Sequence, residues 1–312
     1  MIFHSEYSTN VPIYHDVFTY HIRATLNIQI LHTAIKQVVN RHAVLRTSYA
    51  LSDYQQPLQL VHQQVDVPLN LDDLSHLSTT EQEVTLDTWI EQEKTRHFDW
   101  NVPPLLRFHV HRRTPETFNL TLSFHHSILD GWSVASLLTE LLQQYLYLLG
   151  KNVLPLSAPP KITFRDFVAL EQTTVQSQEY REYWQQKLNH ITITKLPRWS
   201  QSNLTINSWE FSVPISSGVS QGLKQLSKTA GVPLKSVLLA AHFRVLSLLT
   251  NQTDILTGLV SNGRLEDNDG EKVLGLFLNT LPLRLKLHGG TWIDLVRQTF
   301  DICLLYTSGK QR

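Results

Sequence analysis

The 312-residue sequence contains one short segment whose residue types and spacing could do chemistry. It begins with His125 and His126 and ends with Asp130 and Gly131. A histidine can serve as a general base or as a hydrogen-bond acceptor at neutral pH. The unpaired N–H groups at the start of a helix can stabilise a developing oxyanion. These groups predict acyl transfer to an external nucleophile, because the segment contains no Gly-x-Ser-x-Gly elbow that would supply a serine.

The segment lies where a predicted strand ends and a predicted helix begins. Apolar residues alternate along 118–124, and His126 continues that alternation, whereas His125 follows the polar residues on the other side. The two imidazoles are therefore expected on opposite faces, which disfavours their joint binding of one ion. We identify no second cluster of ligand residues with clear spacing and expect no metal site.

The order of the predicted elements indicates a mixed α/β protein with two units of similar size. A proline-containing stretch over 151–163 is interpreted as the linker between them. The first half predicts strands near 17–26, 45–51, 105–111 and 118–126 and helices near 27–40, 80–97 and 133–149; the second predicts helices near 165–188, 217–230 and 234–250 and strands near 208–214, 254–260 and 277–287.

Composition narrows the class of partner. Lysine plus arginine and aspartate plus glutamate each number 27, so the net charge is zero and neither nucleic acid nor a membrane surface is an expected partner. The single cysteine, Cys303, cannot form an internal disulfide. The longest mainly apolar stretch, 237–249, is too short to span a bilayer, and the N-terminus lacks a signal-peptide pattern. We therefore expect a cytoplasmic protein.

The histidine segment resembles the HHxxxDG signature of condensation domains of nonribosomal peptide synthetases, a branch of the chloramphenicol acetyltransferase-like superfamily. Further segments, in the same order as in that family, extend the resemblance over roughly residues 1–290. They are 41–47 (RHAVLRT, with alanine at position 43 where glutamate is common), 98–107 (FD and PLLR), 164–167 (FRDF), 180–184 (YREYW) and 275–284 (GLFLNTLPLR).

The resemblance implies two chloramphenicol acetyltransferase-like subdomains in a V-shaped arrangement, with a tunnel between them. The first would cover 1–160 and carry the histidine motif, the second would cover 161–300, and 301–312 would be an atypical tail. The family's later motifs do not follow position 284, so the chain is interpreted as a fragment. Its second subdomain would be truncated, and it need not be active alone.

The resemblance further implies a reaction and its partners. The chain would catalyse amide bond formation between a donor acyl or peptidyl thioester and an acceptor aminoacyl thioester. Phosphopantetheine arms of two peptidyl carrier protein domains would present these substrates, and an adenylation domain would lie next to the chain. No cofactor would bind the chain directly.

Roles for individual residues follow from the same resemblance. His126 would accept the proton of the attacking amine or hold that amine in place. Asp130 would form a salt bridge, with Arg264 of the other subdomain as the candidate partner. Gly131 would supply a backbone N–H or room for a pantetheine arm. The remaining candidates are His125 within the motif, Trp132 and Ser133 directly after it, Arg46 beneath the active-site floor and Asn279 along the tunnel.

Three alternative functions stay open. An epimerisation-type domain keeps both histidines, although Trp132 and Ser133 after the glycine favour condensation. A standalone acyltransferase that uses coenzyme A or a carrier would carry the same motif. A non-catalytic docking domain usually loses the second histidine, which this sequence retains as His126.

Overall fold

The computed structural model describes residues 1–7, 13–197, 211–267 and 269–307, with the backbone alone at 305–307. The chain forms two compact units. The first comprises Met1–Ala169 and Arg264–Phe277, and the second comprises Leu170–Gly263 and Leu278–Arg312. Both contain helices and strands, which confirms the predicted mixed α/β class.

The helices and strands follow the predicted order closely. The first unit contains α1 (Ile2–Tyr7), β1 (His15–Arg23), α2 (Ile28–Arg41), β2 (Thr47–Ala50), β3 (Leu58–Val61), β4 (Leu69–Asp73), α3 (Thr79–Lys94), β5 (Leu106–Thr114), β6 (Thr117–His125), α4 (Gly131–Leu148) and the start of α5 (Phe164–Gln176). The second contains the rest of α5, then α6 (Gln178–Lys187), α7 (Ser217–Ala230), α8 (Leu234–Thr250), β7 (Asp254–Asn262), β8 (Leu278–Lys286) and α9 (Trp292–Thr307).

A four-stranded sheet with the order β1-β6-β5-β4 forms the centre of the first unit. β6 pairs antiparallel with β1 and with β5, whereas β4 joins β5 in parallel at the edge. The apolar side chains that alternate along β6 are fully buried with residues of α2 and α4 in one core. Because successive strand residues point to opposite faces, this core fixes which side of the sheet each β6 side chain occupies.

The opposite face of the sheet carries a polar layer that contacts α3. Glu93 of α3 is buried and accepts hydrogen bonds from Arg107 Nε at 2.7 Å and from Ser123 Oγ at 2.7 Å. His15 lies 2.7 Å from the same serine hydroxyl. A buried carboxylate is tolerated only when it is paired and hydrogen-bonded, and this arrangement provides both. The two faces of the sheet therefore offer different chemistry.

The division into units differs from the predicted boundary at residue 160. Residues 161–169 and 264–277 belong to the first unit. The ring of Phe277 lies 5.2 Å from that of Phe164 and 5.0 Å from that of Phe167. A buried ion pair also joins Arg264 to Asp130. These long-range contacts attach both segments to the first unit, and position along the chain does not indicate them.

The second unit has a smaller core around the β7–β8 pair. Buried residues of α8, β7, β8 and α9 form it, and Cys303 of α9 lies at its edge. Arg284 of β8 donates two hydrogen bonds to Asp254 of β7, at 2.9 and 2.6 Å. α9 continues to Thr307, so the first residues of the atypical tail extend a helix.

Two predicted elements differ from the elements in the structure or lie partly outside the described residues. The helix predicted over 165–188 is divided into α5 and α6, because the Ser177 hydroxyl accepts the N–H of Tyr180 and starts a new helix. The strand predicted near 208–214 lies outside the described residues at 208–210, and 211–214 has no regular structure.

No single helix in the described part of the chain is long and apolar enough to cross a membrane. One bent pair, Ser217–Ala230 with Leu234–Thr250, meets the length and composition criteria jointly, with 107° between its helices.

Gly275 provides a stability test of the attachment between 264–277 and the rest of the first unit. A Cβ at this position would lie 2.2 Å from Phe164 Cδ2 and 2.9 Å from Phe277 Cε2, whereas a Cβ at Gly131 would meet nothing within 4 Å. We expect Gly275→Ala to lower the free energy of unfolding by about 1–3 kcal/mol through overpacking. Gly131→Ala should change it by less than about 0.5 kcal/mol. Urea unfolding followed by circular dichroism measures both, and equal stability of the two variants would contradict the packing argument.

Candidate active site around His126

His126 lies directly after β6, and its orientation is fixed by two backbone carbonyl groups. Its backbone N–H donates to Tyr14 O at 2.7 Å, and its ring Nδ1 donates to Leu129 O. A carbonyl oxygen can only accept, so Nδ1 carries the ring proton. The neutral imidazole then has an unprotonated Nε2. The half-buried ring therefore offers a proton acceptor in a defined orientation.

Tyr14, which holds the His126 backbone, has an unusual conformation of its own. Its φ of 62° lies in the left-handed region, which is uncommon for residues other than glycine. Such conformations cost free energy and persist where the surrounding structure holds them. Here the conformation presents the Tyr14 carbonyl to the motif.

His125 faces the other side of the sheet and is buried. Its Nδ1 accepts the N–H of Ser127 at 3.1 Å, and its Nε2 lies 3.1 Å from Ser5 Oγ. The ring of Trp100 packs edge-on against it at 4.6 Å between centroids. Burial, with a smaller contribution from the nearby His15, lowers the pKa of His125 to about 3. A neutral imidazole with both nitrogens engaged anchors the end of β6 and is not available to a substrate.

Asp130 is buried, and its carboxylate accepts hydrogen bonds from three partners. Its Oδ1 accepts the N–H of Ser133 at 2.7 Å and so caps α4. The same oxygen accepts from Arg264 Nη2 at 2.9 Å, and Oδ2 accepts the N–H of Phe277 at 3.1 Å. The ion pair implied by the resemblance is therefore present, but Arg264 belongs to the same compact unit as Asp130. Asp130 thus holds the turn that carries Leu129.

Ser133 and Gly275 complete this connection. The Ser133 hydroxyl donates to Gly275 O at 2.8 Å and accepts from Arg264 Nη2 at 2.7 Å and from Gly275 N at 3.0 Å. Asp130 N also donates to Gly275 O, at 3.0 Å. The guanidinium of Arg264 lies over the ring of Phe277, 4.3 Å from its centroid. The start of α4 is therefore held from several directions.

Gly131 and Trp132 begin α4 and are exposed. Gly131 borders an open, mainly apolar cavity of about 400 Å³ between β1 and α4, which Phe18 and Tyr20 also line. The backbone at Gly131 does not adopt a positive φ, so neither conformation nor packing demands a glycine there. Trp132 Nε1 donates to Glu271 O at 3.1 Å. The first turn of α4 thus borders open space.

Arg46 and Asn279 lie outside this group of contacts. Arg46 donates to the carbonyl groups of Val39, Asn40, His62 and Gln63, so it fastens the end of α2 to the chain after β3. Asn279 is exposed on β8 in the second unit, where its side-chain oxygen accepts the N–H of Thr280. The contacts of both residues are structural.

Sequence reasoning missed one ionisable neighbour of His126. Asp16 of β1 pairs with Phe124 in the sheet register, and residues directly opposite each other share a face. Burial raises the pKa of Asp16, and a positive charge on His126 would oppose that shift, so the two groups lie within electrostatic range of each other. The sequence does contain a signal for this neighbour, because Asp16 continues the alternation of Phe18 and Tyr20 along β1.

The sequence does contain one Gly-x-Ser-x-Gly spacing, from Gly218 to Gly222, far from the histidine motif. The structure places it inside α7. A nucleophile elbow requires a sharp turn between a strand and a helix, which exposes the serine. Ser220 has no such turn, so the segment does not support a serine nucleophile.

Comparison with known families gives one match over nearly the whole chain. A family model described as Condensation domain matches residues 1–305. The AMB antimetabolite synthetase AmbE of Pseudomonas aeruginosa is 35% identical over 306 residues, which cover 96% of this chain. The chain spans 14% of that relative's length.

Solved structures agree in fold. The first condensation domain of the calcium-dependent antibiotic synthetase, in complex with a substrate analogue, has a TM-score of 0.75 at 19% identity, covering 98% of this chain and 73% of that one. The complex of the X-domain and OxyB from teicoplanin biosynthesis has a TM-score of 0.81 at 19% identity, covering 98% of this chain and 67% of that one. At such identities the likeness supports the fold alone.

The Asp130–Arg264 pair predicts a stability effect. Asp130→Asn keeps a side-chain oxygen for the N–H of Ser133 but removes the negative charge opposite Arg264. We expect the free energy of unfolding to fall by about 3 kcal/mol, because one partner of a buried pair is lost. Asp269→Asn, which breaks an exposed pair with Lys272, is the control and should cost less than about 1 kcal/mol. Chemical denaturation compares them, and similar losses would contradict the buried-pair argument.

His125 predicts how stability depends on pH. Its folded-state pKa of about 3 lies below the ordinary value of 6.5, so the unfolded chain binds this proton first as pH falls. The stabilisation is complete above pH 6.5 and declines toward the folded pKa, by no more than about 1.4 kcal/mol per pH unit. His15, with a pKa lowered to about 4, adds to the same slope. His125→Asn should reduce the slope between pH 6 and pH 4, and the exposed His76→Asn should not. Equal slopes would show that His125 does not contribute.

Proposed function

The chain belongs to the condensation-domain family, and from that premise we propose that it forms amide bonds between two thioester-bound substrates. The observation that carries the proposal is the tautomer of His126. Its Nδ1 proton is held by Leu129 O, which leaves Nε2 as the acceptor. The sequence motif and the family assignment support a position of this imidazole at the reacting centre.

The bonds formed and broken in the proposed step, and the proton that moves, are all accounted for without a cofactor. The acceptor amine attacks the donor thioester carbonyl, a C–N bond forms and the C–S bond breaks. His126 Nε2 takes the proton from the attacking nitrogen or holds the amine in position, and the leaving sulfur ends as a thiol after protonation. A positioned base typically contributes about 10²–10⁴-fold to such a reaction. Correct positioning of amine and thioester can supply about 7–11 kcal/mol more.

Gly131 and the start of α4 also support the proposal. The N–H groups of the first helical turn lack intrahelical partners and favour negative charge. With Ser133 N bound to Asp130, the N–H groups of Gly131 and Trp132 are the ones available to a developing oxyanion. A glycine without a packing reason, beside an open cavity, is consistent with room for a pantetheine arm.

The proposed partners are carrier proteins. The donor and the acceptor would arrive on phosphopantetheine arms of peptidyl carrier protein domains, with an adenylation domain nearby in the same synthetase. Epimerisation, transfer from coenzyme A and non-catalytic docking remain the alternatives, and the cytoplasmic location stays a prediction.

Replacement of His126 tests the proposal. We expect His126→Ala to keep the fold and to lower amide formation by about 10²–10⁴-fold. The assay supplies acyl and aminoacyl pantetheine thioesters, either free or loaded on carrier domains, and measures the amide product by mass spectrometry. His21→Gln is the matched control, because His21 lies on β1 and bonds Asn119. It should retain wild-type turnover.

Each outcome distinguishes between the candidate functions. Near wild-type turnover in a folded His126→Ala variant would remove His126 from the reaction. Equal rates with free and with carrier-bound thioesters would favour a standalone acyltransferase. A folded wild-type chain that does not exceed the uncatalysed rate with either substrate form would favour docking.

A further inference from the structure

A second group of histidines lies on the polar face of the central sheet, the face opposite to His126. His109 and His111 are two residues apart on β5 and so point to the same side. Asp72 of β4 is the direct partner of His111 in the parallel β4–β5 register. The ring of Trp89 from α3 packs against both histidines, at 4.3 and 4.9 Å between centroids. Two imidazoles and one carboxylate therefore converge beneath α3.

The separations of the ligating atoms suit a small metal ion. His109 Nε2 lies 3.0 Å from Asp72 Oδ2, and His111 Nε2 lies 3.9 Å from the same oxygen. One atom from each of the three residues lies within 4.8 Å of the other two. Zinc bonds of about 2.0–2.1 Å in a tetrahedral site place neighbouring ligand atoms about 3.4 Å apart. Side-chain movements of about 1 Å would bring all three atoms onto one ion.

His111 supplies an independent indication of a ligand. Its side chain is only 1% exposed, yet neither ring nitrogen has a hydrogen-bond partner among the described residues. A buried polar group without a partner typically costs about 1–3 kcal/mol. By contrast, the buried histidine of the motif, His125, has both ring nitrogens engaged. A bound metal ion would satisfy one nitrogen of His111 through its lone pair.

The electrostatic surroundings are compatible with a cation. Asp72 and Glu93 contribute negative charge near His109. Arg96 and Arg113 are the opposing positive groups, and ion pairs with Glu93 and Glu83 offset their charges.

We propose that Asp72, His109 and His111 form a binding site for a divalent transition-metal ion of the zinc class. Two imidazoles and one carboxylate are ligands that zinc prefers, whereas calcium and magnesium prefer sites made of oxygen atoms. Asp72 is 54% exposed, so water completes the coordination from the open side. The ion would tie the edge strand β4 to β5.

The site is separate from the proposed reaction. His109 pairs with Thr121 of β6, and Thr121 precedes His126 by five residues. At about 3.4 Å per strand residue, the distance from Thr121 to His126 is roughly 17 Å. The two groups also lie on opposite faces of the sheet. The metal would therefore stabilise the first unit and would not take part in amide formation.

Titration of the metal-free full chain with zinc tests the inference. Isothermal titration calorimetry should show one zinc equivalent per chain, and cobalt should give visible ligand-field bands typical of nitrogen and oxygen ligands. Asp72→Asn and His109→Gln should each weaken zinc binding by at least about tenfold. The matched control is Asp73→Asn, because Asp73 is the next residue on β4 and pairs with Arg112 on the surface. It should bind zinc within about twofold of wild type.

Thermal unfolding provides a second measurement. Zinc should raise the melting temperature of the wild-type chain and of Asp73→Asn, because a ligand that binds the folded state stabilises it. Asp72→Asn should lack that rise, and since Asp72 is exposed the variant should fold without metal. Equal zinc affinity in Asp72→Asn and Asp73→Asn would assign binding to other histidines and overturn the proposal. Absence of binding to the wild-type chain would also overturn it.

Discussion

The buried carboxylate of Asp130 is the constraint on which the candidate site depends. One side chain caps α4, pairs with Arg264 and binds the N–H of Phe277. A buried charge is costly unless such partners are in place, so the turn, the helix start and the segment 264–277 must form together. This turn also presents the carbonyl of Leu129 to His126. In the proposed reaction, Asp130 would therefore act through geometry, without touching the reacting atoms.

The two neighbouring histidines have different surroundings, because adjacent residues at the end of a strand point to opposite faces of the sheet. His125 points into the polar face, where Ser127, Ser5 and Trp100 surround it. His126 leaves the end of β6 on the other side, where its ring stays half-buried. Burial that keeps the first imidazole neutral makes it an anchor, and partial exposure makes the second accessible. Adjacent residues of one type would therefore divide anchoring and the proposed chemistry between them.

The two faces of the central sheet carry the two proposed sites. The apolar face holds α2 and α4 and so positions the motif at the end of β6. The polar face contacts α3 through Glu93, and further along the same face it gathers Asp72, His109 and His111. A face built from paired polar groups can accommodate neutral histidines that an apolar core would exclude. The proposed metal site uses this polar face, and the proposed amide-forming site lies at the end of the apolar one.

The sequence by itself determined the mixed α/β class, the divergence of His125 and His126, and the family, because alternation and short motifs are encoded within a few neighbouring residues. The tertiary structure alone decided three other features. It attached 264–277 to the first unit through Arg264, it placed the only Gly-x-Ser-x-Gly spacing inside a helix, and it brought Asp72 beside His111 across 39 positions of chain. Strand register and buried ion pairs depend on partners distant in the chain, so local pattern does not specify them.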